Sequence, residues 1–168
     1  YMEMCIDATD EKINRIFMNT AEKKEIMEAV FQAGLPIGSM SVSALTKYAL
    51  GDPDEEIRKK AMQIAEKSIE LAVDLGVRTV MIPGYDIYFG ESTIETKKYF
   101  LENVKKIAEI AEREGILVGF ETMENNFMNT TGKAVQYVNM VDSAYLKIYP
   151  DAGNITNAAV AVSYTHLT

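Results

Sequence analysis

One pattern constrains the fold of this chain most strongly: an amphipathic helix that stops at glycine, followed at once by a short apolar run. It occurs in QAGLPIGSMSV, DLGVRTVMIPG and REGILVGFET, at Gly34, Gly76 and Gly115. Helices commonly end with a residue in the left-handed conformation, which glycine adopts at little cost. Each copy therefore predicts a helix C-terminus that leads directly into a β-strand.

The apolar segments predict five strands, at residues 1–7, 37–43, 78–83, 116–122 and 145–150. They are continuous apolar runs, as is typical of parallel strands buried on both faces. Strand starts recur roughly every 30–40 residues, which is the size of a βα unit. Between them the apolar spacing is helical, as in the stripes from Ile57 to Leu75 and from Phe100 to Ala111.

Capping patterns predict where the helices begin. Asp52 precedes Pro53 and has Glu55 three residues later, which predicts a helix capped by Asp52. Residues 92–95 (STIE) form a second capping box with Ser92 as the cap, and residues 19–22 form a weaker one.

Two architectures use this repeat: an open doubly wound sheet and a closed (β/α)8 barrel. No G-x-G-x-x-G follows a strand, so a dinucleotide-binding fold lacks its fingerprint. A complete barrel takes eight units and about 250 residues, whereas this chain has 168. We therefore expect an α/β fold, a partial (β/α)8 TIM barrel over residues 1–159, cut at both ends.

The closing residues AVAVSYTHLT fit neither helix nor strand patterns well. We expect residues 160–168 to be a non-native or disordered tail that makes few native contacts. The single histidine, His166, lies in this tail and is not assigned as a metal ligand.

Charge and composition limit the partners. A net charge of −8 argues against a nucleic-acid partner, and no apolar run approaches the ~18 residues of a membrane span. The single cysteine, Cys5, excludes an internal disulfide framework and suits a reducing, cytoplasmic location. Because the chain opens on Tyr1 in the middle of a strand pattern, we expect it to be a piece of a longer protein.

Acidic residues stand at the ends of four predicted strands: Asp7, Asp86, Glu121 and Asp151. The C-terminal ends of the strands are where parallel barrels place their functional groups. For Asp7 and Asp86 a helix-cap or loop role is the simpler interpretation. Glu121 lies inside an apolar run, where an unpaired charge is costly, and Gly153 lets the backbone turn closely after Asp151.

Glu121 and Asp151 end successive strands, so their side chains are expected to converge over the barrel mouth. For Asp151 a backbone cap, a basic partner or a metal ion would offset the cost of desolvation. Two converging carboxylates suit a divalent ion such as Mg²⁺, Mn²⁺ or Zn²⁺. The spacing therefore favours one divalent metal ion held by Glu121 and Asp151.

The segments ETMENNFMNTTGKAVQYV and YLKIYPDAGNI resemble the L-ribulose-5-phosphate 3-epimerases, which belong to the xylose-isomerase-like TIM barrels. PGYDIYFGES is similar to the fourth-strand loop of that family, and YMEMCIDATDEKINR to its second strand and following loop. Homologues named as hexulose-6-phosphate isomerases share much of this pattern. The resemblance covers roughly residues 1–159 and implies strands two to six of the barrel.

The resemblance implies one divalent metal held by two Glu, one Asp and one His. Glu121 matches the first Glu and Asp151 the Asp, while the other two ligands come from strands seven and eight, outside this chain. It also implies 3-epimerisation of L-ribulose 5-phosphate and L-xylulose 5-phosphate through an enediolate, with Glu121 as one of two catalytic acid/base residues.

Substrate contacts are expected from four further residues: Tyr85, Asp86, Asn154 and Lys47. Many relatives carry a basic His-Arg segment after the third strand, whereas residues 43–48 here read SALTKY. Lys47 partly replaces those charges, and the exact substrate stays open. The expected partner is a small sugar phosphate, and a homo-oligomer is compatible with the full-length protein.

Three alternatives remain. One is another isomerase or lyase on the same barrel, such as a polyol dehydratase. Another is a sugar-phosphate-binding barrel without catalysis. A nuclease on the related DNA-repair barrel is the least favoured, because the net charge is −8. The chain as it stands is expected to be inactive, since it supplies only part of the site.

Overall fold

The computed structural model describes the backbone of residues 1–165 and the side chains of residues 1–160. Within that part, five strands form one sheet in the order β1-β2-β3-β4-β5. All four strand pairs are parallel. The strands are β1 (Met2–Cys5), β2 (Ile37–Ser41), β3 (Thr79–Pro83), β4 (Leu117–Glu121) and β5 (Leu146–Tyr149). The predicted α/β partial barrel and its five strands are confirmed.

Helices connect the strands. They are α1 (Asp10–Ile13), α2 (Thr20–Ala33), α3 (Glu55–Asp74), α4 (Ile94–Glu114), α5 (Thr131–Val141) and α6 (Ala152–Thr165). Two short 3₁₀ turns, Asn14–Phe17 and Ser43–Thr46, lie between them. Among residues 1–165, no helix combines the length and the apolar character needed to cross a membrane.

The hydrophobic core lies between one face of the sheet and the helices. Fully buried strand residues such as Val80, Val118 and Phe120 belong to one cluster with Ile64 of α3 and Phe100 of α4. Because successive strand residues point to opposite faces, Glu3, Ser39 and Glu121 face the other side. The hydroxyl of Ser39 donates to Glu3 across two strands, at 2.6 Å. That second face is the one that a closed barrel turns towards its axis.

The predicted helix ends are confirmed by backbone geometry. Gly34, Gly76 and Gly115 have φ values of 61°, 70° and 68°, in the left-handed region that favours glycine. A fourth helix, α5, ends on Asp142 with φ 55°, which the glycine pattern did not predict.

Two predicted caps are wrong by one or two residues. The N-cap of α3 is Asp54 and not Asp52. The Asp52 side chain instead accepts the backbone N–H of Asp54, at 2.8 Å. The cap of α4 is Thr93, because the Ser92 hydroxyl donates to Asp86. The capping box of Asn19 is confirmed, with both reciprocal hydrogen bonds present.

Helix α6 runs to Thr165, past residue 159 where the local pattern loses its helical signal. The sequence pattern therefore did not predict the last part of α6. Residues 166–168, including His166, lie outside the described residues. That residues 160–168 form a non-native or disordered tail stays a prediction.

Candidate functional site

Glu121 and Asp151 lie at the same edge of the sheet. Glu121 is the last residue of β4 and is paired in register with Tyr149, the last residue of β5. The N–H of Thr122 donates to the carbonyl of Tyr149 at 3.3 Å, which extends the pairing one residue further. Asp151 follows two residues later, so the two carboxylates stand at the carboxyl ends of adjacent strands, as the sequence predicted.

Asp151 is held by its neighbours on both sides. Its carboxylate Oδ1 accepts the backbone N–H of Asn154 at 2.7 Å, and its own N–H donates to the hydroxyl of Thr122 at 2.9 Å. Asn154 in turn donates from Nδ2 to the carbonyl of Thr122 at 3.0 Å. The backbone N–H of Asn154 thus caps Oδ1 of Asp151, while Oδ2 accepts no hydrogen bond from residues 1–160. Asn154, expected to contact substrate, here fixes the position of Asp151.

Thr122 carries a testable structural role, since its side chain is fully buried between the two strand ends. Replacing Thr122 with valine leaves the N–H of Asp151 without its hydroxyl acceptor. An unsatisfied buried donor costs about 1–3 kcal/mol; this hydrogen bond is partly buried, so we expect Thr122→Val to lower the free energy of unfolding by about 1 kcal/mol, the lower end of that range. Urea unfolding measures it. Thr122→Ser keeps the hydroxyl and is the matched control; equal losses in both variants would contradict the hydrogen-bond explanation.

Glu121 is half-buried and has no hydrogen bond or ion pair among the described side chains. Burial raises the pKa of Glu121, and the negative charges of Asp151, Glu3 and Glu124 raise it further. A carboxylate in this position binds a proton more readily than usual. It is therefore suited to accept a proton from carbon and to hold it, which is the task of a general base.

The same surroundings fit a cation. Carboxylate oxygens are ligands that hard divalent ions prefer, and a positive ion would offset the repulsion between Glu121 and Asp151. In the part of the chain that the structure describes, no group of three or more His, Cys, Asp or Glu side chains is arranged to hold a metal. Glu121 and Asp151 could supply two carboxylate ligands to such an ion, and a complete site would need further ligands from beyond the described residues.

Tyr85 and Glu124 form a second pair at this edge. The N–H of Gly84, just after β3, donates to the carbonyl of Glu121 at 3.0 Å. The hydroxyl of Tyr85 lies 2.8 Å from each carboxylate oxygen of Glu124. Burial and the contact with Glu124 raise the pKa of Tyr85, so its hydroxyl keeps its proton and donates. Sequence reasoning did not select Glu124, although it stands three residues after Glu121.

Asp86 does not reach the site. It is fully buried, and its Oδ2 accepts the hydroxyls of Ser92 at 2.6 Å and Thr96 at 2.7 Å. Its other oxygen, Oδ1, is buried without a hydrogen-bond partner in the described part of the chain. In this structure Asp86 secures the start of α4, so the expected substrate contact is not supported by its position.

The remaining predicted groups lie on neighbouring loops. Lys47 is exposed after β2, with Nζ 5.3 Å from the centre of the Tyr48 ring, and it has no carboxylate partner among residues 1–160. Asp7 accepts the hydroxyl of Thr9 at 2.6 Å and pairs with Lys12 at 2.8 Å. Asp7 thus has the loop role that was its simpler interpretation.

Comparison with protein families matches residues 1–163 to the xylose isomerase-like TIM barrel model. Among curated proteins, the chain is 31% identical over 156 residues to the L-ribulose-5-phosphate 3-epimerase UlaE of Shigella boydii serotype 18. The match covers 93% of this chain and 55% of that protein. The UlaE protein of Escherichia coli O157:H7 matches with the same identity and coverage. The chain spans about half the length of these relatives.

Solved structures show the same fold. A D-psicose 3-epimerase crystallised in the presence of D-fructose superposes with a TM-score of 0.76 at 17% identity, covering 92% of this chain and 54% of that one. An L-ribulose 3-epimerase gives 0.69 at 15% identity, covering 92% and 61%. A xylose isomerase-like TIM barrel protein from Mycobacterium smegmatis in complex with magnesium gives 0.67 at 21%, covering 90% and 52%.

Proposed function

Because this chain belongs to the xylose isomerase-like TIM barrel family, we propose that the whole protein is a cytoplasmic epimerase of sugar phosphates. Its substrates are L-ribulose 5-phosphate and L-xylulose 5-phosphate, which differ in configuration at C3. The observation that carries the proposal is the placement of Glu121 and Asp151 at adjacent strand ends. The match to proteins named L-ribulose-5-phosphate 3-epimerase, over 93% of the chain, supports the choice of substrate.

The chemistry needs a base beside an acidic C–H bond. C3 of a 2-ketose lies next to the carbonyl carbon, so removal of its proton leaves an enediolate. Glu121 takes that proton on one face of the substrate as the general base. An acid from the part of the barrel outside this chain returns a proton to the opposite face. One proton leaves and one is added, so no oxidant is needed.

Glu121 and Asp151 are also the residues that would hold a divalent ion, either Mn²⁺, Zn²⁺ or Mg²⁺. When bound, such an ion stabilises negative charge that develops on the substrate oxygens. The Thr122–Asp151–Asn154 hydrogen bonds keep Asp151 in place for this role. Supporting contacts of this kind orient metal ligands in many proteins.

The phosphate of the substrate needs a positive partner away from this acidic edge. Lys47 is exposed, and no described carboxylate neutralises it. It lies on the loop after β2, two strands away from the β4 end that carries Glu121. We assign Lys47 to the phosphate end of the substrate.

Proton exchange in deuterated water tests the function. A complete barrel that contains this chain is incubated with L-ribulose 5-phosphate, with unphosphorylated L-ribulose and with an inosose, a cyclic polyol ketone. We expect deuterium at C3 and formation of L-xylulose 5-phosphate from the first substrate. Loss of water from the inosose without epimerisation would favour the dehydratase alternative. Binding of the sugar phosphate without exchange would favour a non-catalytic barrel.

The chain as it stands is expected to bind its metal weakly and to be inactive. It supplies two protein ligands, whereas catalytic sites of this kind usually use three or more. Calorimetric titration with Mn²⁺ or Zn²⁺ measures the affinity, with Asp151→Ala as the comparison. One-to-one binding with a submicromolar dissociation constant, lost in Asp151→Ala, would contradict this prediction by showing that two carboxylates suffice.

A further inference from the structure

Glu124 is exposed, yet its carboxylate is not free to rotate. The hydroxyl of Tyr85 lies 2.8 Å from both of its oxygens, and Tyr85 is itself only 3% exposed. Fixing a long polar side chain at the surface costs rotamer entropy. The ring of Tyr85 is in turn packed edge-on against Tyr88, with ring centres 4.9 Å apart. A rigid donor therefore holds an exposed acceptor in one orientation.

The backbone fixes where this acceptor stands relative to Glu121. The N–H of Gly84 donates to the carbonyl of Glu121, and a Cβ on Gly84 would lie 2.6 Å from that oxygen, so only glycine allows this approach. Asn125 accepts the N–H groups of Phe127 and Met128, which closes the loop that carries Glu124. Hydrogen bonds thus join the loops after β3 and β4 next to Glu121.

We propose that Glu124 is a specificity-determining residue, which accepts a hydrogen bond from a hydroxyl group of the ketose, and that Tyr85 is the residue that positions it. The inference rests on the proposed function. An ionised carboxylate has about four lone-pair sites, and the single proton of Tyr85 leaves acceptor capacity open. A pure acceptor selects hydroxyl groups and repels phosphate. For a ketopentose 5-phosphate that reacts at C2 and C3, the hydroxyl partners are O1 and O4.

A simpler explanation is that Glu124 serves only to satisfy the buried hydroxyl of Tyr85, since buried polar groups need partners. The two explanations differ in what they predict. A purely structural pair affects stability and treats all substrates alike. A specificity residue changes the preference between a substrate that has the hydroxyl and one that lacks it.

The experiment uses a complete barrel that contains this chain and measures kcat/KM for three compounds: L-ribulose 5-phosphate and its 1-deoxy and 4-deoxy analogues. The variants are Glu124→Gln and Tyr85→Phe. Their matched controls are Glu91→Gln, an exposed carboxylate on the preceding loop, and Tyr88→Phe, whose hydroxyl does not contact Glu124. Melting temperatures are recorded for every variant, to separate stability from specificity.

We expect Glu124→Gln to lower kcat/KM for L-ribulose 5-phosphate about 10- to 100-fold, the usual effect of losing a hydrogen bond to a charged group. For the deoxy analogue that lacks the hydroxyl bound by Glu124, kcat/KM should be the same in Glu124→Gln as in the wild type. This analogue therefore identifies the hydroxyl. Tyr85→Phe should reduce the preference for L-ribulose 5-phosphate over that analogue to a smaller extent. Both control variants should keep the wild-type preference.

Two results would overturn the inference. If the wild-type barrel is active and both variants keep its preference among the three compounds, with only their melting temperatures lowered, Glu124 is a structural partner of Tyr85 and the inference alone is wrong. If the wild-type barrel epimerises none of the three, the proposed function is wrong and the inference fails with it.

Discussion

Replacing Glu121 with glutamine in a complete barrel is expected to lower C3 proton exchange by about 10²–10⁴-fold, the usual effect of losing a general base. Glutamine has nearly the same shape as glutamate but does not take up a proton at neutral pH. The side chain is half-buried beside Asp151 and Glu124, whose charges raise the pKa of Glu121. Removal of one negative charge also relieves that repulsion, so the fold is expected to persist.

Solvent-deuterium incorporation measures this effect, and circular dichroism checks the fold. Glu91→Gln, on an exposed loop, is the matched control and should exchange at the wild-type rate. Manganese affinity, measured in parallel by calorimetry, separates a weakened metal site from the loss of a base. Exchange at a near wild-type rate in Glu121→Gln would remove Glu121 from the catalytic role.

Phe100→Ala is expected to destabilise the chain by about 3–5 kcal/mol, the range found for truncating large buried aromatic residues. Phe100 is fully buried and lies at the centre of an aromatic group. Its ring contacts those of Phe120, Phe127 and Tyr137, with centres 5.7, 5.0 and 5.5 Å apart. Alanine removes these contacts and leaves a cavity that β4, α4 and α5 do not readily close.

Urea unfolding of Phe100→Ala measures the loss against Phe89→Ala. Phe89 is 76% exposed on the loop after β3, so its truncation should change stability by no more than about 0.5 kcal/mol. A loss below about 1 kcal/mol in Phe100→Ala would show that the aromatic group contributes little to the stability of the sheet and helices.

The sequence predicted the strands well because they stand out as apolar segments, and three of them, β2, β3 and β4, follow a glycine that ends a helix. Both signals act locally: the apolar run reflects burial on two faces, and the glycine reflects a left-handed backbone at the helix end. The placement of Glu121 and Asp151 at neighbouring strand ends also followed from local information, because parallel strands bring their carboxyl ends to one edge. The cap of α3 was misplaced because Asp52 and Asp54 are equally good caps by composition.

What the sequence did not reveal depends on contacts between distant loops. Tyr85 and Glu124 are 39 residues apart, and no local pattern indicates that one hydroxyl holds the other residue's carboxylate. Asp86 is an acidic residue at a strand end, as a site residue would be. Its carboxylate instead accepts the hydroxyls of Ser92 and Thr96 at the start of α4. In both cases the direction of the side chain, and not its position along the chain, decided its role.

The strand order has a consequence for how the chain folds. Because every strand within residues 1–165 pairs with its neighbour in sequence, each contact in the sheet closes a loop of similar, modest length. Local closures of this kind cost less chain entropy than pairings between strands far apart in sequence. Glu121 and Asp151 accordingly come together through one such closure, between β4 and β5, and their placement needs no strand that is distant in sequence.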